Sequence, residues 1–391
     1  MVDLIKYGFD ETCQQVYDVA DRHCREKLYP LASRMDKEDW FPEEAFRSLA
    51  EINILGVTLP EEYGGAGMSV LAQAFAAEAM SKWNSALASS YLSSDNLCAN
   101  NILRNANEDL KRKYLPRFCD GSAIGALGLT EPGAGSDALG SMATTAVRER
   151  DSYVLNGRKM FITNGPVADV LLVYAKTAPE LGAHGISAFI VEKDFPGFQV
   201  AQHLDKMGWR GCPTGELVFE DCVVPAENMV GEENQGVAIT MSGLDIERAV
   251  FATHAIGVAE RALELTLDHA KTRKQFNRAI GEFQLVQGML ADMYTDLETI
   301  RCSTYQILKE IEHLEVGGGG RGEIHMRAAA VLLHAGRACM RILDHAVQIH
   351  GGTGYMQEAE INRLYRVGKV LEIGAGTNQV RQLIIGRELM K

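Results

Sequence analysis

Val170-Leu171-Leu172-Val173-Tyr174 and Ile186-Ser187-Ala188-Phe189-Ile190-Val191 are the two stretches that decide the fold class. Both are short, apolar and rich in β-branched or aromatic residues, which is typical of buried strands. Similar runs recur through residues 122–230 without helical patterns between them, so the sequence predicts an antiparallel sheet. The other predicted strands contain Tyr153, Met160, Ile162 and Leu217, and the predicted turns are Asn156-Gly157, Asn164-Gly165 and Pro196-Gly197.

Helical spacing precedes and follows this β-rich region. Apolar residues recur three and four apart in residues 11–28, and the same period returns after residue 236. All ten prolines lie before residue 226, so the remainder can form long uninterrupted helices. Glycine-rich residues 58–67 and 317–322 are predicted to be a loop and a helix connector. The predicted architecture is α+β, with an N-terminal helical domain (1–121), a middle antiparallel β domain (122–235) and a C-terminal four-helix bundle (236–391).

Composition narrows the class of function. The chain has 39 basic and 52 acidic residues, a net charge of −13, which argues against nucleic-acid binding. Its eight cysteines form no C-x-x-C pair, so neither a zinc site nor a disulfide framework is predicted. No apolar run reaches membrane-spanning length, and the N-terminus shows no signal or transit pattern. We therefore expect no membrane association, and a location in a bacterial cytoplasm or, as a mature protein, in an organelle matrix.

Three glycine-containing or acidic segments are candidates for chemistry. Leu129-Thr130-Glu131-Pro132-Gly133-Ala134-Gly135-Ser136-Asp137 is either a tight turn between strands or a turn whose amides approach a ligand. Asp245-Ile246-Glu247-Arg248 is either a solvated helix face or a site carboxylate pair. Glu372-Ile373-Gly374-Ala375-Gly376-Thr377 is either a capped helix end or part of a site. Rossmann, P-loop and zinc-hydrolase motifs are not found, so the residues alone indicate a multidomain ligand-binding enzyme.

Taken together, these segments resemble the acyl-CoA dehydrogenase family over essentially the whole chain. The segment from Leu129 to Asp137 resembles the family's flavin loop, and Met160-Phe161-Ile162-Thr163 its flavin-stacking strand. Further motifs occur in the family's order: Arg273-Lys274-Gln275-Phe276, Gln284-Leu285-Val286-Gln287, Gln348-Ile349-His350-Gly351-Gly352 and Gly376-Thr377-Asn378-Gln379.

The resemblance implies FAD bound between the β domain and the C-terminal helices, and oxidation of an acyl-CoA thioester to the 2-enoyl-CoA. It also implies a homotetramer, in which Arg273 and Gln284 reach the flavin of a neighbouring subunit, and an electron-transfer flavoprotein as partner. The residues it assigns to FAD are Leu127, Leu129, Thr130, Gly135, Ser136, Phe161, Ile162, Thr163, Arg273, Phe276, Gln284, Gln287, Gln348, Gly351, Gly352, Thr377 and Gln379.

The catalytic base distinguishes branches within the family. Short- and medium-chain members carry a glutamate at the position of Ala375, which has no group that can take a proton. The isovaleryl-CoA dehydrogenase branch places the base in a helix motif similar to Gly243-Leu244-Asp245-Ile246-Glu247-Arg248, so the resemblance implies Glu247 as base, with Glu372 as fallback. The Ala375 amide is implied to bind the thioester oxygen. The implied substrate contacts are Ser136, Leu244, Asp245, Arg248, Gly374, Ala375 and Gly376.

Three departures from the isovaleryl pattern keep the acyl group open. Phe161 replaces the usual tryptophan, Ala238 replaces a tyrosine near the ligand, and Asp95 would place a costly charge beside an apolar tail if it lay there. A short or branched acyl-CoA similar to isovaleryl-CoA is the leading expectation. The alternatives are a longer branched, terpenoid (citronellyl-like) or polar-ended acyl-CoA, an oxygen-using oxidase or hydroxylase on the same fold, and a flavin-free binding protein.

Overall fold

The computed structural model describes residues 2–313 and 322–391. The predicted glycine-rich connector therefore lies outside the described residues, except for Gly322, at which a long helix begins. The predicted loop at 58–67 is confirmed and contains one short 3₁₀ turn, Glu61–Tyr63. In chain order the N-terminal helices are α1 (Glu11–His23), α2 (Ala32–Glu38), α3 (Glu43–Arg47), α4 (Val70–Tyr91), α5 (Asn100–Asn105) and α6 (Glu108–Cys119).

Helix α4 is the central element of the N-terminal part. It packs against α1 and against the first helix of the C-terminal bundle, and nearly all its residues are buried. Asn84 breaks the helical backbone inside α4, with φ −149° and ψ 83°. After α4 the chain continues into a wider π-helical segment, Leu92–Ala99, a form that is frequent at functional sites.

The middle region is a mixed sheet. Most neighbours pair antiparallel as predicted, but β4 pairs in parallel with β1, where Gly125 lies opposite Val170, and with β2, where Lys176 lies opposite Thr145. Short apolar runs do not encode strand direction, which the connections decide. The strands are β1 (Gly125–Gly128), β2 (Thr145–Glu149), β3 (Ser152–Thr163), β4 (Val170–Lys176), β5 (Ile186–Glu192), β6 (Phe198–His203), β7 (Thr214–Pro225) and β8 (Met229–Val230), in the order β6-β7-β3-β2-β4-β5-β8.

The predicted turn at Asn156-Gly157 is wrong, because both residues lie inside the continuous strand β3. The register against β7 shifts between Leu155 and Gly157, which marks a bulge. Gly157 has φ +153°, and a Cβ there would lie 2.4 Å from Thr144 Oγ1. Glycine is needed at this position for a close approach of two chain segments rather than for a turn. The turns at Asn164-Gly165 and Pro196-Gly197 are confirmed.

The C-terminal part is the predicted helical bundle. Helices α7, α8 and α9 pack on one another, and α12 packs on α9. The three long helices contain no proline. One apolar core is shared by α1, α4 and the bundle, while two further clusters cover the faces of the sheet. The elements are α7 (Gly236–Thr272), β9 (Lys274–Gln275), β10 (Arg278–Ala279), α8 (Gln284–Ile311), α9 (Gly322–His350), α10 (Gly352–Tyr355), α11 (Glu360–Gly368) and α12 (Asn378–Leu389).

Candidate active site

Glu247 lies on α7 with its carboxylate directed at helix α5. The residue is only 8% exposed. Asn101 Nδ2 donates a hydrogen bond to Glu247 Oε1 at 2.9 Å, and Arg104 Nη2 lies 3.5 Å from the same oxygen. Burial raises the pKa of Glu247 above its ordinary value, while the Arg104 charge and the Asn101 hydrogen bond oppose that rise. The Arg248 charge acts in the same direction as Arg104. A buried carboxylate with a raised pKa beside cations is suited to accept a proton.

Gly243 makes this arrangement possible. A Cβ at position 243 would lie 1.9 Å from Arg104 Nη2 and 2.8 Å from Glu247 Oε1. Any side chain there would displace Arg104, Glu247 or both. Asn101 and Arg104 were not anticipated from the sequence, since no local pattern links α5 to a residue more than 140 positions later.

Replacing Arg104 with methionine is expected to shift the pH dependence of catalysis. Methionine is apolar, so the charge that favours ionised Glu247 disappears and the pKa of Glu247 rises further. A carboxylate accepts a proton only when it is ionised, so with Glu247 predicted as the base, the acidic limb of the rate of flavin reduction should move upward by about one pH unit or more. Rapid-mixing rates measured across pH check this, with R104K as the charge-retaining control. An unchanged acidic limb in R104M would contradict it.

The segment carrying Ala375 faces α7 near Glu247. A Cβ at Gly374 would lie 3.9 Å from the ring of Phe251, which follows Glu247 by one helical turn. Ala375 adopts φ 53° and Gly376 φ 87°, and the alanine conformation is uncommon for a residue with a side chain. Within the described parts of the chain, the Ala375 N–H has no acceptor. An unpaired amide held in a strained loop is available to a ligand oxygen.

Glu372, the fallback carboxylate, is engaged elsewhere. Lys369 Nζ lies 2.6 Å from one of its oxygens and Asn378 Nδ2 donates to the other at 3.2 Å. The predicted ligands Thr377 and Gln379 lie at the start of α12, where Thr377 caps the helix. Glu372 therefore already has two partners, whereas Glu247 is the more deeply buried of the two carboxylates.

Asp245 and Arg248, predicted to contact substrate, are buried against α9. Asp245 Oδ1 lies 2.6 Å from His325 Nδ1, and Arg248 Nη1 lies 3.3 Å from the same nitrogen. Asp245 is 1% exposed and Arg248 3%. His325 was not anticipated from the sequence. The cluster fixes the helix on both sides of Glu247, and direct contact of Asp245 or Arg248 with substrate stays a prediction, as it does for the partly exposed Leu244.

The predicted flavin loop is anchored from beneath by a buried ion pair. Glu131 Oε1 lies 2.7 Å from Lys159 Nζ, and Glu131 also accepts hydrogen bonds from the backbone N–H groups of Ala143 and Thr144. Above this anchor the loop is open, because a Cβ at Gly133 or Gly135 would meet no described atom within 4 Å. Ser136 is exposed beside them, so its hydroxyl is accessible at the surface of the loop.

The aromatic ring of Phe161 is exposed next to this loop. It is 66% exposed, and its φ of 62° is strained for an aromatic residue, at a cost of about 1–3 kcal/mol. The register of β3 against β7 shifts between Lys159 and Ile162, which turns the ring outward while Ile162 stays buried. Met160 N donates to Thr130 O at 2.8 Å and so joins the loop to the strand. The open glycines and exposed ring fit a flat aromatic cofactor. The adjoining predicted ligands Leu127 and Leu129 are partly buried, and Thr163 ends β3.

The remaining predicted cofactor residues form a second group at the far end of the bundle. Arg273 follows Glu247 by 26 residues of nearly continuous helix, so it lies about 39 Å away along the axis of α7. His269 and His350 stack with ring centroids 4.4 Å apart and bring the ends of α7 and α9 together. Within one chain, this second group therefore lies far from Glu247. The second group comprises Arg273, Phe276, Gln284, Gln287, Gln348, Gly351 and Gly352.

Asp95 contacts the N-terminal loop region. Its Oδ2 accepts from the Gly56 N–H at 2.7 Å, and burial raises its pKa to about 8. This anchoring role gives no support to a polar-ended acyl chain. Ala238 is exposed on the first turn of α7.

Asp95→Asn is expected to change how stability depends on pH. Because the unfolded carboxyl ionises near 3.8 and the native one near 8, wild type loses stability relative to D95N as pH rises between those values, by about 1.4 kcal/mol per unit. Below pH 4 the difference should be constant. Denaturant unfolding of both proteins from about pH 2.5 to 9 measures the difference on both sides of pH 4. Parallel stability curves would contradict the buried, protonated carboxyl.

The fold and the site define the class of protein. Residues 10–122, 126–222 and 234–390 match family profiles described as the N-terminal, middle and C-terminal domains of acyl-CoA dehydrogenase. The chain belongs to the acyl-CoA dehydrogenase family, oxidoreductases that act on CH–CH bonds with a flavin. Among the described residues, no helix is long and apolar enough to cross a membrane.

Several curated relatives match nearly the whole chain. The chain is 44% identical over 384 residues to a mitochondrial 2-methylacyl-CoA dehydrogenase of Solanum tuberosum, covering 98% of this chain and 91% of that protein. It is 43% identical over 386 residues to a mitochondrial isovaleryl-CoA dehydrogenase of the same plant, covering 98% and 92%. The solved butyryl-CoA dehydrogenase of Megasphaera elsdenii superposes with a TM-score of 0.93 at 36% identity, covering 98% and 99% of the two chains.

Proposed function

We propose that this chain oxidises a short or branched acyl-CoA, similar to isovaleryl-CoA, to the 2-enoyl-CoA with FAD as cofactor. The observation that carries the proposal is the buried Glu247 carboxylate beside Arg104, with the unpaired Ala375 amide on the loop that faces the same helix. The relatives support a branched acyl group. Ala375 has no group that can take a proton, which supports a base outside the C-terminal loop.

In the proposed mechanism the chain supplies a base, a hydrogen-bond donor for the developing oxyanion and a stacking surface for the flavin. Ionised Glu247 takes the α-proton of the thioester onto its carboxylate. The Ala375 N–H donates to the thioester oxygen as negative charge develops there, and this interaction strengthens in the transition state. FAD, when bound, supplies the acceptor for the β-hydrogen as hydride.

The residues proposed to hold FAD belong to the two groups described above. Phe161 provides the stacking surface, and the residues around Thr130 and Ser136 provide backbone and hydroxyl groups at the open loop. Because Arg273 lies so far along α7 from Glu247, we propose that the second group serves the FAD of a neighbouring subunit in a homotetramer. Large exposed apolar side chains in this part of the bundle, among them Phe276 at 88% and Leu285 at 85%, support a subunit contact. Sedimentation of the purified flavoprotein tests the four-chain mass.

The acyl group is tested with a panel of acyl-CoAs under anaerobic conditions. Isovaleryl-, 2-methylbutyryl-, butyryl-, citronellyl- and glutaryl-CoA are ranked by their rates of flavin bleaching. The fastest bleaching by a short branched thioester supports the proposal, whereas preference for the citronellyl or glutaryl thioester replaces it with a longer or polar-ended substrate.

The electron acceptor is tested on the reduced enzyme. We propose an electron-transfer flavoprotein, so reoxidation by air should be slow and reoxidation by that protein fast. Rapid reoxidation in air with formation of peroxide would instead establish an oxidase. A purified protein that cannot be loaded with FAD would contradict the enzymatic proposal as a whole.

A further inference from the structure

Arg381 is a fully buried arginine whose donors converge on the loop that carries Ala375. Its Nη1 donates to Leu371 O at 2.9 Å and to Asn378 Oδ1 at 3.0 Å, and its Nη2 donates to Gly374 O. Burial, and then the nearby Arg248 charge, lower its pKa to about 10, so it keeps its charge at neutral pH. A guanidinium is costly to bury, and here it is directed at loop carbonyls rather than at a carboxylate.

The hydrogen bond to Gly374 O has a consequence for Ala375. The Gly374 carbonyl and the Ala375 N–H belong to one planar peptide unit, which is trans like every other described peptide bond. In a trans unit these two groups point in opposite directions. Fixing the carbonyl toward Arg381 therefore fixes the N–H away from it, and the positive charge on the carbonyl side polarises the unit and strengthens the N–H as a donor.

We propose that Arg381 is a positioning residue that acts through the Gly374 carbonyl to aim and polarise the Ala375 N–H toward the thioester oxygen of the substrate. This inference rests on the proposed function, in which that amide binds the oxygen. Arg381 itself does not contact substrate or cofactor in this role.

The alternative is a purely structural clamp. The loop has other restraints, since Asn378 Nδ2 donates to Glu372 and the Thr377 hydroxyl accepts from Val380 N. A clamp would change the melting temperature and the flavin content but not the strength of one hydrogen bond to the bound thioester. The distinguishing quantity is therefore the carbonyl stretching frequency of a bound ligand.

The test uses the FAD-loaded enzyme with R381M, R381K and R387M. Arg387 is an exposed residue on the same helix and provides the matched control. The 2-enoyl-CoA product, carrying ¹³C at its thioester carbonyl, is bound to each protein and its infrared difference spectrum is recorded. Rates of flavin reduction by acyl-CoA are measured on the same preparations.

In R381M the bound carbonyl should absorb at higher frequency than in wild type, and flavin reduction should slow about 10- to 100-fold, while the dissociation constant for the product changes less than about threefold. R381K should lie between R381M and wild type, and R387M should match wild type. If R381M does not retain flavin, the carbonyl frequency measured in R381K distinguishes a positioning residue from a clamp. A wild-type carbonyl frequency in R381M, or in R381K where that variant decides, would overturn the inference and leave a clamp.

E247Q separates this inference from the proposed function. It should lose flavin reduction yet keep the wild-type carbonyl frequency, since its oxyanion donor is intact. Near-normal reduction in E247Q would remove the proposed base without affecting the infrared comparison among the arginine variants.

Discussion

Glu247→Gln is expected to lower the rate of flavin reduction by about 100- to 10,000-fold, the usual contribution of a general base. Glutamine keeps the size of the side chain and can still accept from Asn101 through its amide oxygen, so the fold and the flavin content should not change. What is lost is the ionised oxygen beside Arg104 that takes the proton. Anaerobic rapid mixing of the FAD-loaded variant with the best acyl-CoA of the panel measures the effect.

Glu372→Gln is the matched control. Glu372 is the other carboxylate near Ala375, but it is already hydrogen bonded to Lys369 and Asn378. The expected rate of flavin reduction by E372Q is close to that of wild type. Near-normal reduction by E247Q together with a large loss in E372Q would move the base to Glu372.

Lys159→Met is expected to destabilise the protein by about 3–5 kcal/mol, because it leaves the Glu131 carboxylate buried without its cation. Lys159 is fully buried, and burial lowers its pKa to about 8, an effect that Glu131 opposes. Glu131 also holds the backbone of Ala143 and Thr144, so its rearrangement should loosen the flavin loop. Denaturant unfolding and FAD retention during gel filtration measure the two consequences.

Arg158→Met is the matched control for K159M, because Arg158 is the neighbouring residue on the same strand. Arg158 forms an ion pair with Glu216 at 2.9 Å, but the Arg158 side chain is 59% exposed. Glu216 also accepts from Gln202 Nε2 at 2.7 Å, so R158M leaves this carboxylate hydrogen bonded and is expected to cost about 0–1 kcal/mol. The double variant K159M/E131Q should recover part of the stability lost in K159M, since no buried charge remains unpaired. Equal stability of K159M and R158M would contradict the buried anchor.

Local patterns were sufficient for the order of helical, β and helical regions, because periods of 2 and 3.6 residues report directly which faces are buried. They were insufficient where contacts between distant segments decide the local structure. Asn156-Gly157 has the sequence of a turn but lies in a strand bulge, because the approach of Thr144 requires a glycine there. Strand direction at β1 and β4 was likewise decided by chain connections.

The candidate site divides in the same way. The motif around Glu247 could be predicted from the sequence once the family resemblance was found. The same is true of Ala375, which replaces the glutamate of short- and medium-chain members, and of the predicted cofactor residues. Other site residues could not be predicted from the sequence, because each acts through a contact with a residue on another element. They are Asn101, Arg104, Lys159, His325 and Arg381. The length of α7 places Arg273 far from Glu247.

By itself, the sequence determined the classes of secondary structure, the long proline-free bundle and the identity of the carboxylate proposed as base. Only the tertiary structure decided the surroundings of that carboxylate and of the Ala375 amide. The physical reason is that a proton acceptor and an amide donor depend on burial, on nearby charges and on the direction of a peptide plane. Those properties arise when α5 packs on α7 and α12 packs on α9, and no stretch of sequence contains them.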